Sequence, residues 1–257
     1  MTAAAGKRDL GWLVARPIAH RGLHDRAAGC LENSISAAEA AIALGFGIEC
    51  DVQLTADGQA VVFHDFVLDR LTAEDGKVVD RTAAELSALA LRDSGDFIPT
   101  LPAFLDVIGG RVPLVIEIKS RFDGDLRLAR RTAEIARDYA AAHPVVLKSF
   151  DPAIVTALRD LAPGIPRGIV GRADYTHDSD TAHLDQEQRH ALANLLHYGE
   201  SQPDFVSWKV SDLPGAVPYL CREALGLPVM TWTVRTAEER ERAALHADQM
   251  VFEGFVP

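Results

Sequence analysis

Three observations make this chain an α/β protein of the (β/α)8 TIM-barrel class. Its 257 residues match the ~250 that such a barrel needs. Eight apolar, β-branched runs recur along it, at 17–20, 47–52, 112–118, 145–150, 167–170, 204–210, 228–234 and 249–253. Several are continuous apolar stretches, as strands buried on both faces are. Helical patterns separate them, which implies a parallel sheet. A doubly wound open sheet is the alternative closure.

The elements follow in order. After the first run comes an Ala-rich helix over 34–44, with Asn33 as its N-cap. After the second run, residues 53–64 leave no room for a helix. Asp57-Gly58 between alternating apolar residues signals a two-residue hairpin turn. Counting outward sets Leu54 against Val61, Val52 against Phe63 and Asp51 against His64. Residues 66–99 then form a small insertion after the second strand, too small for a domain of its own. Chain 1–257 therefore reads as a single domain. Further helices are expected over 102–108, opened by a proline, and over 126–142. Asp151-Pro152 caps and opens another over 153–161, and 237–246 is the last.

Composition excludes several functions. Lys+Arg is 26 against 37 Asp+Glu, a net charge of −11, so the chain is a poor general nucleic-acid binder. With 48% hydrophobic and 25% charged residues it is too apolar for disorder. No run approaches the ~18 apolar residues that span a membrane, so stable membrane insertion is not expected. The opening stretch carries Lys7, Arg8, Asp9 and Arg16 with no apolar segment between them, unlike a secretory signal. Cys30, Cys50 and Cys221 are an odd number without metal-ligand spacing. Both features predict a cytoplasmic protein. No sequence feature specifies an oligomeric state.

Active sites of such barrels lie at the C-terminal ends of the strands. The first strand ends in His20-Arg21-Gly22. Glu49 and Asp51 stand two apart on the second strand, so they share a face. Glu117 and Lys119 do the same on the third, and the hairpin adds His64-Asp65. Three carboxylates on adjacent strands, Glu49, Asp51 and Glu117, suit a hard divalent cation, Mg²⁺ or Ca²⁺. Zinc would want histidine or cysteine ligands. Burying three like charges with no cation would be very costly. His20 and His64 converge on this site as a general base and acid. Arg21 and Lys119 are donors for a phosphate. The set reads as metal-assisted phosphoryl transfer to an oxygen nucleophile.

These residues resemble the glycerophosphodiester phosphodiesterase family. The resemblance is carried by His20-Arg21-Gly22, Glu32-Asn33-Ser34, Glu49-Cys50-Asp51-Val52, Thr55, Asp57-Gly58 and Val62-Phe63-His64-Asp65. It continues through Asp69-Arg70, Pro99-Thr100-Leu101, Glu117-Ile118-Lys119, Ser149-Phe150 and Trp232-Thr233-Val234. It implies a barrel that cleaves deacylated phospholipids, such as glycerophosphocholine and glycerophosphoethanolamine, to glycerol 3-phosphate and an alcohol. It implies His20 and His64 as the acid/base pair. Glu49, Asp51 and Glu117 would hold the metal, and Arg21 and Lys119 the phosphate of a small-molecule substrate. The chain departs from the family pattern at Leu31, at Leu71 and at Phe252-Glu253-Gly254, where Thr-Asp is usual.

Other residues carry two readings. Trp232 is an apolar wall for the substrate or part of the core. Lys148 reaches the phosphate or pairs structurally. His177, His183, His190 and His197 look like a metal tract, but Leu184, Leu192, Leu195 and Leu196 mark an ordinary amphipathic helix. The polar stretch 172–183, with Asp174, Asp178 and Asp180, is a candidate lid on the active face. Alternatives to the phosphodiesterase reading are a lysophospholipase D-like or phosphatidylinositol phospholipase-like enzyme, and a silent barrel that binds phosphorylated ligands.

Overall fold

The computed structural model describes residues 8–177 and 179–257. Lys7 and Asp178, singled out above, lie outside the described residues. The strands are β1 (Ile18–Ala19), β2 (Gly47–Leu54), β3 (Ala60–Val62), β4 (Leu114–Ile118), β5 (Val145–Ser149), β6 (Arg167–Gly171), β7 (Phe205–Lys209), β8 (Val229–Val234) and β9 (Gln249–Phe252). Eight of them are parallel neighbours in the order β1-β9-β8-β7-β6-β5-β4-β2, and the β1–β2 pairing closes the ring. The fold is a TIM barrel. β3 lies antiparallel on β2 as the hairpin arm.

The barrel interior is layered. Ile18, Val115, Val146, Phe205, Met230 and Val251 form one apolar cluster with Leu10 and Leu13 of the N-terminal segment. Two residues further along each of these strands stand His20, Glu117, Lys148, Ser207, Trp232 and Glu253. Residues two apart on a strand share a face, so an apolar plug below carries a polar layer above. The alternate residues, such as Ile48, Cys50, Val52 and Ile116, pack outward beneath the helices.

Helices Leu101–Ile108, Arg127–Ala140, Pro152–Leu161 and Ala237–His246 lie where expected. Asp151 caps the third of these through Ala153 N–H. The helix Ile35–Ala43 differs at its start. Ser34 is its N-cap, accepting from Ala37 N–H at 3.1 Å, while Asn33 stands outside the helix with φ 58°. Gln186–Ala193 and Ala216–Glu223 are further helices.

The hairpin register is one residue off the expectation. Leu54 pairs with Ala60 and Val52 with Val62. The loop holds three residues, Ala56, Asp57 and Gly58, closed by Gly58 N–H to Thr55 O at 3.0 Å and Thr55 N–H to Gln59 O at 3.0 Å. Gly58 has φ 74°, so this is a turn followed by a left-handed residue rather than a two-residue turn. Asp51 therefore faces Phe63, whose N–H donates to Asp51 O at 3.0 Å. Pairing of β3 ends at Val62, so the chain is free to turn and His64 still arrives at the site. An added Cβ at Gly58 would meet nothing within 4 Å. Gly58→Val is thus expected to cost only the left-handed backbone term, about 1–2 kcal/mol, in a urea titration. An unchanged midpoint would contradict this loop geometry.

Residues 66–99 form the insertion. Leu68, Leu71, Val78, Leu86, Leu91 and Ile98 pack with Leu31, Val61 and Phe63 into a separate apolar cluster. The 172–183 stretch is anchored in part: Tyr175 is buried against Leu184 and Leu192, and Phe122 and Phe150 pack on that cluster. No helix among the described residues is long and apolar enough to cross a membrane.

Candidate active site

Glu49, Asp51 and Glu117 meet in the polar layer. The register sets Asp51 beside Glu117 and Glu117 beside Lys148 on adjacent strands. All three carboxylates are buried, and one oxygen from each lies within 4.8 Å of the others. Hard oxygen donors at that spacing fit Mg²⁺ or Ca²⁺. The chain supplies its own counter-charges, contrary to the expectation that burial here demands an added cation. Lys119 Nζ lies 2.8 Å from Asp51 Oδ1 and 2.6 Å from Glu117 Oε1. Lys148 Nζ lies 3.0 Å from Glu49 Oε1 and 3.2 Å from Glu117 Oε2. Arg21 Nε lies 3.3 Å from Asp51 Oδ2. Lys148 is buried beside the triad, which favours its structural reading. Burial would raise the Glu117 carboxyl, but the Lys119 and Lys148 charges outweigh it and hold the group at about 2. Burial acts the same way on Asp51, and Lys119 holds it well below the usual range.

Each histidine is backed by a carboxylate. His20 Nδ1 lies 2.6 Å from Glu253 Oε2, and His64 Nδ1 lies 2.7 Å from Asp65 Oδ1. An ionised carboxylate only accepts, so both Nδ1 atoms carry the proton and each Nε2 is left as the acceptor nitrogen. Burial would raise the Glu253 carboxyl, but its bond to His20 prevails and lowers it. Burial also holds the His20 imidazole below its usual value, partly offset by Glu253. His20 Nε2 stands 3.9 Å from Glu49 Oε2.

The backbone around His20 explains its neighbours. Arg21 adopts φ 56°, and its N–H donates to Glu49 Oε2 at 3.1 Å. Gly22 follows at φ 80°, where a Cβ would come within 2.8 Å of the Ala37 backbone. Only glycine fits there. Asn33 clamps Asp51: Nδ2 donates to Oδ2 at 3.0 Å, and Asn33 Oδ1 accepts from Asp51 N–H at 3.1 Å.

A second network ties the insertion to the barrel. Glu32 accepts from Arg21 at 2.6 Å and from Arg70 at 2.7 and 2.8 Å. Arg70 also donates to Asp65 at 2.6 and 3.0 Å. Arg70 thus links the carboxylate behind His64 to the one behind Arg21. Burial would raise Glu32, but Arg70 and then Arg21 hold it at about 2. Its value is depressed from 4.5, so its stabilising effect is present above pH 4.5 and is lost as pH falls through about 2. The shift corresponds to on the order of 3 kcal/mol. Between pH 2 and pH 5, wild-type urea midpoints should therefore rise more than those of Glu32→Gln. Parallel pH profiles would contradict the clamp.

Trp232 donates from Nε1 to Ser207 O at 3.0 Å and stacks edge-on with Phe150, ring centres 5.4 Å apart. With His64, Phe66, Glu117, Lys119 and Phe122 it lines a cavity of about 130 Å³, which Arg172, Asp180 and Thr181 also border. Three residues of the candidate lid, Arg172, Asp180 and Thr181, are therefore part of the site wall. The histidine tract is not a centre: the described residues offer no other cluster with metal-ligand spacing. His183 and His190 are exposed, and His197 Nδ1 pairs with Ser201 Oγ at 3.0 Å.

Glu32, Asn33, Arg70 and Glu253 are site residues to which the sequence reading gave no role there. Glu253 directly follows β9 at the strand's C-terminal end, a position that points to the site in any such barrel. Arg70 stands in the Asp69-Arg70 motif of the resemblance, but its place at the site depends on the folded insertion bringing it back.

The closed parallel barrel thus gathers three carboxylates, two carboxylate-backed histidines and three cations at its strand ends. The chain matches the model of the glycerophosphoryl diester phosphodiesterase family over residues 20–252, and it belongs to that family. It is 35% identical over 161 residues to a glycerophosphodiester phosphodiesterase of Caldanaerobacter subterraneus subsp. tengcongensis. The match spans 60% of this chain and 65%, just under two thirds, of that relative's length. A phosphodiesterase of Oleispira antarctica, solved with the product sn-glycerol-3-phosphate, superimposes with TM-score 0.69 at 24% identity, over 93% of this chain and 92% of that one. A glycerophosphodiester phosphodiesterase from Thermotoga maritima gives 0.67 at 24% identity, over 91% and 92%. At these identities the two structures speak for the shared fold.

Proposed function

We propose that the protein hydrolyses glycerophosphodiesters, such as glycerophosphocholine and glycerophosphoethanolamine, to glycerol 3-phosphate and an alcohol. One observation carries the reading most: two carboxylate-backed imidazoles stand at the carboxylate triad. A silent ligand-binding barrel has no need to retain both. The product found with the Oleispira structure agrees with this substrate class. Three free cysteines agree with a cytoplasmic setting.

Glu49, Asp51 and Glu117 would hold a divalent cation, which would supply positive charge against the phosphoryl oxygens. Arg21 and Lys119 add donors at the same oxygens, and the Trp232–Phe150 wall takes the apolar edge of the substrate. Between them His20 and His64 supply one base and one acid. The base takes a proton from the glycerol hydroxyl beside the ester, and that oxygen attacks phosphorus. The acid protonates the departing alkoxide, leaving a five-membered cyclic phosphate. Water then opens the ring with the two roles exchanged. A substrate lacking the neighbouring hydroxyl should not be cleaved; undiminished cleavage would rule out this route in favour of direct attack by water.

The test of the reaction is product analysis over a panel with and without Mg²⁺ or Ca²⁺. Glycerophosphocholine should give choline and glycerol 3-phosphate. Turnover of lysophosphatidylcholine or phosphatidylinositol alone would replace this reading with a lipid phosphodiesterase, and no turnover of any diester with a silent barrel.

A further inference from the structure

The oxygens of the triad are not equivalent. Glu49 Oε1 and Glu117 Oε2 are held by Lys148 at 3.0 and 3.2 Å. Asp51 Oδ2 is held by Asn33 at 3.0 Å and Arg21 at 3.3 Å. Glu49 Oε2, which also accepts the Arg21 N–H at 3.1 Å, Asp51 Oδ1 and Glu117 Oε1 are the oxygens that would take a cation. The Lys119 ammonium sits on two of these three, 2.8 Å from Asp51 Oδ1 and 2.6 Å from Glu117 Oε1. The side chain reaches them from β4's end and is itself largely buried. An ammonium and a divalent cation cannot share the same lone pairs at such distances, because both need the oxygens as direct partners.

We propose that Lys119 is a built-in stand-in for the divalent cation: it holds the triad together in the cation-free protein and must leave Asp51 and Glu117 when the cation binds. The proposal rests on reading Glu49, Asp51 and Glu117 as cation ligands. It gives Lys119 a second duty beside the phosphate. In the cation-free protein its charge offsets the carboxylates. In the loaded protein the ammonium is released toward the phosphate, the other anion brought into the site. The buried triad thereby avoids uncompensated charge in either state. Lys148 has no such duty, since it pairs with the other oxygens of Glu49 and Glu117.

The test measures Mn²⁺ binding without substrate, by calorimetry and by loss of the free Mn²⁺ electron-spin signal. Lys119→Met should bind Mn²⁺ at least about tenfold more tightly than wild type, equivalent to about 1.4 kcal/mol. Mn²⁺ should also raise its melting midpoint by more than it raises the wild type's. Lys119→Gln keeps two donors without the charge and should show the same sign; it serves if the methionine variant folds poorly without cation. Lys148→Met removes the same charge from the opposite oxygens and should tighten binding less than Lys119→Met. If wild type binds Mn²⁺ and neither Lys119 variant binds it more tightly, the stand-in role is overturned while the cation site stands. Equal tightening by Lys119→Met and Lys148→Met would also overturn it, by reducing the effect to general charge. If no form binds Mn²⁺ at millimolar concentration, the ligand assignment itself fails, and the proposal with it.

Discussion

Alanine at His20 or at His64 is expected to lower kcat at least about 10²-fold, the lower end for a lost general acid or base. KM should change far less, since neither ring carries the phosphate's charge. Both rings are held in the same way, through Nδ1, by Glu253 at 2.6 Å and by Asp65 at 2.7 Å. Glu253→Gln leaves the ring in place but weakens the hold on its tautomer. Its loss of kcat should be smaller than that of His20→Ala, and the pH profile should move. Steady-state kinetics over a pH series measures both. Wild-type-like rates in either alanine variant would overturn the acid/base assignment.

Chelation should abolish turnover, and Mg²⁺ or Ca²⁺ should restore it. Asp51→Asn and Glu117→Gln should each weaken cation affinity by at least about tenfold, the scale seen even for residues one step behind the ligands. This expectation rests on three buried oxygens converging within 4.8 Å of one another. It does not rest on charge imbalance, because Lys119, Lys148 and Arg21 already face the carboxylates. Full activity in exhaustively chelated protein would remove the cation from the account.

Much of the barrel is legible in the sequence because several strands pair an apolar residue with a chemistry-bearing one two positions later. Val115 with Glu117, Val146 with Lys148 and Met230 with Trp232 announce a plug beneath a site. Helix starts are legible where one side chain decides them, as at Asp151. At Asn33-Ser34 two capping residues stand side by side, and the tertiary bond to Asp51 takes the first of them out of the cap. The hairpin fails for a related reason. Asp-Gly serves two-residue and three-residue loops alike, and the Thr55–Gln59 bond selects the longer one. Asp57 is occupied elsewhere as well, accepting from Ala83 N–H at 3.0 Å in the insertion. Glu253 and Arg70 depend on closure: β9 must come round to β1, and the insertion must fold back over Glu32. Neither contact leaves a local pattern, since the partners stand 233 and 38 residues apart in sequence.

Cleavage of the bond between phosphorus and the head-group alcohol of a glycerophosphodiester is the activity proposed for this site. Phosphorus NMR of glycerophosphocholine during incubation with the wild type, His20→Ala and His64→Ala, each with Mg²⁺, tests it most directly. With wild type the diester resonance should give way to glycerol 3-phosphate, through a cyclic phosphate if that species accumulates, while both variants leave the diester largely intact. A diester that persists with wild type, or one converted to phosphocholine by cleavage on the glycerol side, would contradict the account.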